Sequence, residues 1–452
     1  MVFPKICEET QSIQERRQAV KIAFYTLGCK VNQYETQILR QLFSANGFTI
    51  VDVEQPADIF VINSCTVTSS GDKKTRQIMH RFKRKNPDAV IALTGCFPQA
   101  FPDAAKLLPE ADVITGAYNR RGLLEAVFKA CQTGERIIDI TPHQRGESFE
   151  QMSAGGFLER TRAYVKIEDG CERYCAYCII PKARGPVRSK PLDSLVTELE
   201  ELSRAGYREV VLVGINLPSY GKDLGLRLID AVEAAAGVEG IERIRLGSLE
   251  PELLSDEDIE RMSRISKLCP QFHLALQSGS NATLKRMNRH YDCAEYARIA
   301  DSLRRHFDNA SVTTDLMVGF PGETEEDFLE SAAFVKKMEL AKVHVFAYSV
   351  REGTRAAVMP DQVSQKVKEE RSRRMIQTCK QTRLAFLQTQ VGKTCRVLFE
   401  QSPEDGTYQG YSENYTPVHV KSAEPLHGQI LSVRITAVAE DGDSCDGELI
   451  EK

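Results

Sequence analysis

The sequence predicts an α/β protein of three units: an N-terminal parallel-sheet α/β domain, a partial (β/α)6 barrel, and a small C-terminal antiparallel β-barrel. Three observations carry this prediction. Apolar runs alternate with amphipathic stretches from Lys21 to about residue 140, the pattern of a sheet covered by helices. A second alternation supplies six strand–helix pairs between 159 and 388, too few to close an eight-stranded barrel. Beyond 389, short runs rich in Gly, Tyr, Val and Thr replace helices, as in small β-barrels.

Residues 1–20 read as an N-terminal extension that contains Cys7 and lacks the apolar centre of a signal peptide. In the first domain (21–140), KIAFYTLGC, ADIFVINSC, AVIALTGC and DVITG are apolar throughout, which predicts strands buried on both faces of a parallel sheet. A polar, aperiodic stretch from Thr141 reads as a linker (141–158). The barrel strands are RAYVKIE, EVVLVG, RIRLGS, FHLALQS, SVTTDLMVGF and KVHVFAYS; Pro360 precedes a long charged helix that ends near Gln390. TCRVLFE, YQGYSENYTPVHV and QILSVRITAVA then predict the last barrel (389–452).

A chain of 452 residues exceeds one compact core, and its net charge of −4 gives no argument for a nucleic-acid partner, so any basic surface must be local. No uncharged apolar run reaches about 18 residues, which predicts no membrane partner and a cytoplasmic location. Thirteen cysteines in a reducing compartment argue against a disulfide framework and for metal or redox chemistry. Cys131, Cys269, Cys293, Cys379 and Cys445 each stand alone in helical or apolar contexts and read as packing residues.

The sharpest signal is GCERYCAYCIIPKARG, in which Cys171, Cys175 and Cys178 follow the first barrel strand. A structural zinc ion normally takes four protein ligands, and no fourth ligand motif stands nearby. A cubane cluster held by three thiolates instead leaves one iron open to chelate a substrate's amino and carboxylate groups, as a radical S-adenosylmethionine cluster requires. Cys29, Cys65 and Cys96 are far apart in sequence, yet each terminates an apolar strand. In an open parallel sheet those ends share one edge, which predicts a second three-cysteine cluster; the alternative is three small buried residues. The run Lys73–Lys85 holds Lys73, Lys74, Arg76, Arg81, Lys83 and Arg84 with no acid, and the long helix adds Arg371 and Arg374; both read either as solvated helix faces or as phosphate-binding patches. Tyr408, Tyr411 and Tyr415 read either as base-stacking or as packed hairpin residues.

From about Lys21 to the C-terminus the chain resembles the methylthiotransferase family. TLGCKVNQYET, NSCTVT, LTGC, GCERYCAYCIIPKARG, LGSLEPE, LQSGS, RMNR and GFPGET match its motifs in order. GCKVNQYE, IIPKARGPVRS, VGINLPSYG and CPQFHLALQSGS look most like the branch acting on N6-threonylcarbamoyladenosine beside the tRNA anticodon. The resemblance implies a cluster domain, a radical S-adenosylmethionine barrel and an RNA-binding TRAM domain, with two [4Fe-4S] clusters and S-adenosylmethionine as cofactors. Cys171, Cys175 and Cys178 would hold the catalytic cluster, and Cys29, Cys65 and Cys96 the cluster that carries the transferred sulfur. Tyr177 would pack beside the cofactor adenine, with Asn216, Glu250, Gln277, Ser278 and Asp315 offering polar contacts at strand ends. The implied partners are the anticodon stem-loop of a tRNA and an electron donor such as flavodoxin or ferredoxin, and the chain is expected to be a monomer. The same chemistry on isopentenyladenosine or on a ribosomal protein, and a non-catalytic iron–sulfur RNA-binding protein, are the alternatives. Pro218, the extension with Cys7 and an acidic last domain depart from the family pattern.

Overall fold

The computed structural model describes residues 20–153, 161–400 and 406–450. The extension with Cys7 and the second part of the linker lie outside the described residues. The first unit runs β1 (Lys21–Thr26), α1 (Lys30–Ala45), β2 (Thr49–Val51), β3 (Ile59–Ser64), α2 (Ser69–Lys85), β4 (Val90–Gly95), α3 (Cys96–Ala100), α4 (Pro102–Lys106), β5 (Val113–Thr115), α5 (Arg120–Thr133) and β6 (Ile137–Asp139). Its strands form one parallel sheet in the order β2-β1-β3-β4-β5-β6. Alternate residues face opposite layers: Ile22, Ile59, Val61 and Ala92 pack with Leu39, Phe43 and Val127 on one side. Ala23, Phe60, Ile62 and Leu93 pack with Met79, Phe82 and Phe97 on the other. Burial on both faces is why these strands are uninterrupted apolar runs in the sequence.

The second unit contains β7 (Arg162–Lys166), β8 (Glu168–Asp169), α6 (Ile180–Arg184), β9 (Arg188–Ser189), α7 (Leu192–Arg204), β10 (Glu209–Val213), α8 (Leu228–Gly237), β11 (Arg243–Leu246), β12 (Ser248–Leu249), α9 (Asp256–Ser263), β13 (Gln271–Leu274), α10 (Asn281–Arg286), α11 (Cys293–His306), β14 (Ser311–Val318), α12 (Glu325–Lys337) and β15 (Lys342–Ala347). Two parallel sheets, β11-β10-β7 and β12-β13-β14-β15, meet where β12 continues β11 past Gly247 and where Ile244 bridges Leu268. The six expected strands thus follow one another around an open barrel, and among the described residues β7 and β15 are edges that do not pair with each other.

The long helix α13 (Gln365–Gln388) leads to β16 (Thr394–Phe399), β17 (Thr407–Tyr411), β18 (Pro417–Lys421), β19 (Ile430–Val438) and β20 (Cys445–Leu449), a closed five-stranded barrel. Its pairs are antiparallel except β18 with β20, which closes the barrel in parallel. Leu387 from α13 enters its core beside Val397, Phe399, Val418 and Val433. The barrel caps the N-terminal strand ends of the second unit through arginines. Arg243 and Arg245, both paired with the buried Glu209, donate to the carbonyls of Arg396 (2.5 Å) and Ser412 (2.7 Å). No helix among the described residues is long and apolar enough to cross a membrane.

Candidate functional site

Strand register assembles the first cysteine set. β1, β3 and β4 are neighbours, with Thr26 opposite Asn63 and Ser64 opposite Gly95, so Cys29, Cys65 and Cys96 emerge at the same sheet edge. Adjacent strands stand about 4.8 Å apart. Two glycines make the approach possible. A Cβ on Gly28 (φ +119°) would lie 2.9 Å from the Cβ of Cys65, and one on Gly95 (φ +97°) would lie 2.6 Å from the carbonyl oxygen of Ser64. A side chain at either would push the cysteines apart. Asn32 donates to the carbonyls of Leu27 (2.9 Å) and Ser64 (3.0 Å), fastening the loop of Cys29 to that of Cys65.

The second set lies on the loop between β8 and α6. The Cys171 N–H donates to the Gly185 carbonyl (3.0 Å) and the Cys178 N–H to that of Cys175 (3.0 Å), curling the three thiols together. Arg289, from the RMNR motif, donates to the Cys175 sulfur (3.1 Å) and the Tyr177 hydroxyl (3.4 Å), and is ion-paired with Glu250.

A single segment joins the two sets. Arg184, with no exposed surface, donates from Nε to the Cys96 sulfur (3.2 Å) and from Nη2 to Asn32 (2.9 Å), while the next residue, Gly185, accepts from Cys171. Cys96 also packs against Ile179 and Ala183, directly after Cys178. Behind it, Glu35 collects Arg184 (2.5 Å), Lys166 (2.9 Å) and Arg120. Burial alone would raise the Glu35 carboxyl, but these cations hold it down at about 2.

The thiols behave oppositely. Burial pushes Cys96 up to about 12 against the pull of Arg184, and burial with the nearby Cys175 pushes Cys178 to about 12; Cys65 and Cys171 also rise. Three neighbouring thiolates need a positive partner, which iron supplies. No group of three or more His, Cys, Asp or Glu side chains among the described residues closes round one metal ion. A cubane instead gives each cysteine a different iron, so its ligands stand farther apart than around a single ion.

Buried acceptors without partners mark space for further groups: Asn216 Oδ1, Gln277 Oε1 and Glu168 Oε1. Asn216 is otherwise fixed by donation from its backbone to Glu168 (2.7 Å), and Gln277 takes a left-handed backbone (φ 64°) that turns it at the strand end. Ser278 is buried and accepts from the Ser280 N–H (3.2 Å). Asp315 lies 3.5 Å from His273 Nε2. Tyr177 meets Phe320 edge-on. The donor set thus fits two clusters and a polar cofactor.

Alongside runs a cavity of about 490 Å³ inside the open barrel. It extends from Cys29 and Lys30 past Gly214, Ser248, His273 and Asp315 to a floor of Tyr411 and Tyr415. Lys30 keeps accessible surface, yet burial together with Arg162 and Arg245 lowers its ammonium to about 8.

The basic residues divide. Lys73, Lys74, Arg76 and Arg84 are exposed on α2, whereas Arg81 pairs with Glu54 and Lys83 with Asp112. Arg371 is not on the surface: it is buried on α13 and bound to Glu323 (2.8 Å). Arg374 is held against α12 by Glu325 (2.7 Å) and the Phe328 ring. Arg371 is therefore a structural cation rather than part of a surface phosphate patch, while Arg374 stays exposed on the helix. Tyr411 and Tyr415 stack on each other at 4.5 Å beneath Arg162, and Tyr408 packs against the small barrel's core. Tyr411 and Tyr415 are half-buried and line the cavity floor. Sequence reading also missed Arg184, Arg289, Glu35 and Lys30, although each falls inside a quoted motif.

The chain is similar to known proteins over most of its length. The radical SAM superfamily matches residues 165–335, and the uncharacterized protein family UPF0004 matches residues 21–116. The threonylcarbamoyladenosine tRNA methylthiotransferase MtaB of Bacillus subtilis (strain 168) is 39% identical over 422 residues, covering 92% of this chain and 93% of that one. Its namesake from Thermotoga maritima is 36% identical over 94% of this chain and 97% of that one. A tRNA-2-methylthio-N(6)-dimethylallyladenosine synthase from Caldicellulosiruptor saccharolyticus is 34% identical over 91% of this chain and 88% of that one. Among solved structures, the radical S-adenosylmethionine methyltransferase TsrM from Kitasatospora setae, with cobalamin and a [4Fe-4S] cluster bound, aligns with TM-score 0.56 at 13% identity, covering 75% of this chain and 74% of that one. At that identity the likeness concerns fold alone.

Proposed function

Because the chain belongs to the radical S-adenosylmethionine tRNA methylthiotransferase family, we propose that it converts N6-threonylcarbamoyladenosine beside the tRNA anticodon to its 2-methylthio derivative. Two [4Fe-4S] clusters and S-adenosylmethionine, when bound, supply one-electron bond cleavage and a sulfur donor, chemistry that no side chain offers. In this reading Cys171, Cys175 and Cys178 hold one cluster, and Cys29, Cys65 and Cys96 the other. Tyr177 flanks the cofactor's adenine. Asn216 and Gln277 offer their unpaired carbonyl oxygens to its donor groups, with Ser278 and Asp315 completing the rim and Glu250 acting through Arg289.

The observation that carries the reading is the Arg184–Gly185 segment. Its guanidinium touches Cys96 and its next carbonyl takes the Cys171 N–H, so one short stretch touches both sets. A sulfur transferred from one site to a carbon activated at the other needs this proximity. The exposed Lys73, Lys74, Arg76 and Arg84 follow Cys65 on α2 and suit the phosphates of an anticodon stem-loop. The enzyme works as a cytoplasmic monomer supplied with electrons by a flavodoxin or ferredoxin. In this reading residues 21–140, 141–158, 159–388 and 389–452 serve as sulfur-donor domain, linker, radical S-adenosylmethionine domain and TRAM domain, after an N-terminal extension of residues 1–20.

The test is nucleoside mass spectrometry of tRNA treated with the anaerobically reconstituted enzyme, reductant and S-adenosylmethionine. The expected product is 2-methylthio-N6-threonylcarbamoyladenosine. Methylthiolation of isopentenyladenosine instead, or an unchanged nucleoside profile, contradicts the proposal.

A further inference from the structure

We propose that Lys30 is a specificity-determining residue which receives the carboxylate of the substrate's threonyl group inside the barrel cavity. This rests on the reading that threonylcarbamoyladenosine is the substrate. The cavity is lined by five Lys or Arg side chains and by one acid, Asp315, which faces His273. Four of the cations are already neutralised from behind: Arg162 and Arg245 pair with Glu209, while Lys342 and Arg383 pair with Asp443. Among the described residues Lys30 pairs with no acid, and the cations Arg162 and Arg245 act on it.

Folding does not explain a cation there. Lys30 is the first residue of α1, whose first turn holds no acid, so its charge opposes the helix dipole. Lys30 is exposed at the chamber wall, so its ammonium stands open to an anion that enters the chamber. The chamber reaches Cys29 of the sulfur-donor set, and its volume falls in the range of small-molecule sites. Threonylcarbamoyladenosine carries a carboxylate at the end of its N6 substituent, whereas a dimethylallyl substituent carries only methyl groups. An apolar substituent placed there leaves Lys30 desolvated and unpaired, so the same residue that welcomes one nucleoside rejects the other.

The carboxylate of S-adenosylmethionine or an RNA phosphate has the same chemistry, and the experiment separates these sources. Reconstituted wild type, Lys30→Met and Lys30→Arg are given two anticodon stem-loops of identical sequence, one with the free threonyl acid and one with its methylamide. Single-turnover kcat/KM, the KM for S-adenosylmethionine and stem-loop Kd by fluorescence anisotropy are measured, with iron and sulfide content as a check of both clusters. The wild type should favour the acid loop about tenfold or more, as a charge-assisted contact gives. Lys30→Met should bring that ratio close to one in both kcat/KM and Kd, and Lys30→Arg should restore most of it. Equal losses on both loops, a raised KM for S-adenosylmethionine, or no wild-type preference overturns the proposal. If the wild type converts neither loop, the substrate reading itself fails and this assignment falls with it.

Discussion

Arg184 is a guanidinium with no exposed surface that reaches a cysteine of the neighbouring unit and the buried Glu35 at once. Removing one partner of a buried ion cluster leaves the other desolvated, so Arg184→Met should destabilise the cluster-free protein by about 3 kcal/mol. The pH dependence has a defined sign. Glu35 is held at about 2 against its ordinary 4.5, so its stabilisation is complete above about pH 4.5 and is lost as pH falls through about 2. The gap in melting temperature between wild type and Arg184→Met should therefore narrow in acid; equal melting temperatures at pH 7 would deny Arg184 this role. None of these partnerships is visible in the sequence, because Glu35 and Arg184 are 149 residues apart. That Cys29, Cys65 and Cys96 share one sheet edge was legible because each ends an apolar run of a parallel sheet. Arg371 was misread because counting charges ignores which way a helix faces. Arg371, Met375, Cys379 and Arg383 form a buried i, i+4 stripe, a period that places Arg371 inward.

At the scale of elements, the turns after β1 and β4 decide whether three thiols meet. Gly95 has φ +97°, and its added Cβ would press on the Asn63 side chain and the Ser64 backbone. Gly95→Ala should cost about 1–3 kcal/mol of stability and displace Cys96. Iron bound by the reconstituted protein should drop toward half, with cleavage of S-adenosylmethionine retained; full iron content would show that the turn tolerates the methyl. The long strands β1, β3 and β4 were plain in the sequence because burial on both faces writes an unbroken apolar run. β2 and β6 went unread since each has only three residues and lies at a half-exposed sheet edge. β20, Cys-Asp-Gly-Glu-Leu, carries little apolar signal and is a strand because the barrel must close. The polar linker is better anchored than its composition suggested: Phe149 is buried, and Glu147 and Glu150 pair with Arg188 and Arg120.

For the whole molecule, three units divide one task. The sheet edge of the first and the strand ends of the second face each other across Arg184, while the third closes the barrel floor with Tyr411 and Tyr415. The division into three was readable from changes of hydrophobic period, but the way the units dock was not, since it depends on buried arginines whose partners lie in other units. In the proposed function two separate clusters, each on three cysteines, serve one chamber. Mössbauer spectroscopy with iron analysis tests it on reconstituted wild type, on the Cys29→Ala/Cys65→Ala/Cys96→Ala triple variant and on the Cys171→Ala/Cys175→Ala/Cys178→Ala triple variant. Wild type should show two [4Fe-4S] clusters and each triple variant one, with S-adenosylmethionine cleavage surviving only where Cys171, Cys175 and Cys178 remain. A single cluster in wild type, or one triple variant losing all its iron while the other loses none, would contradict the account.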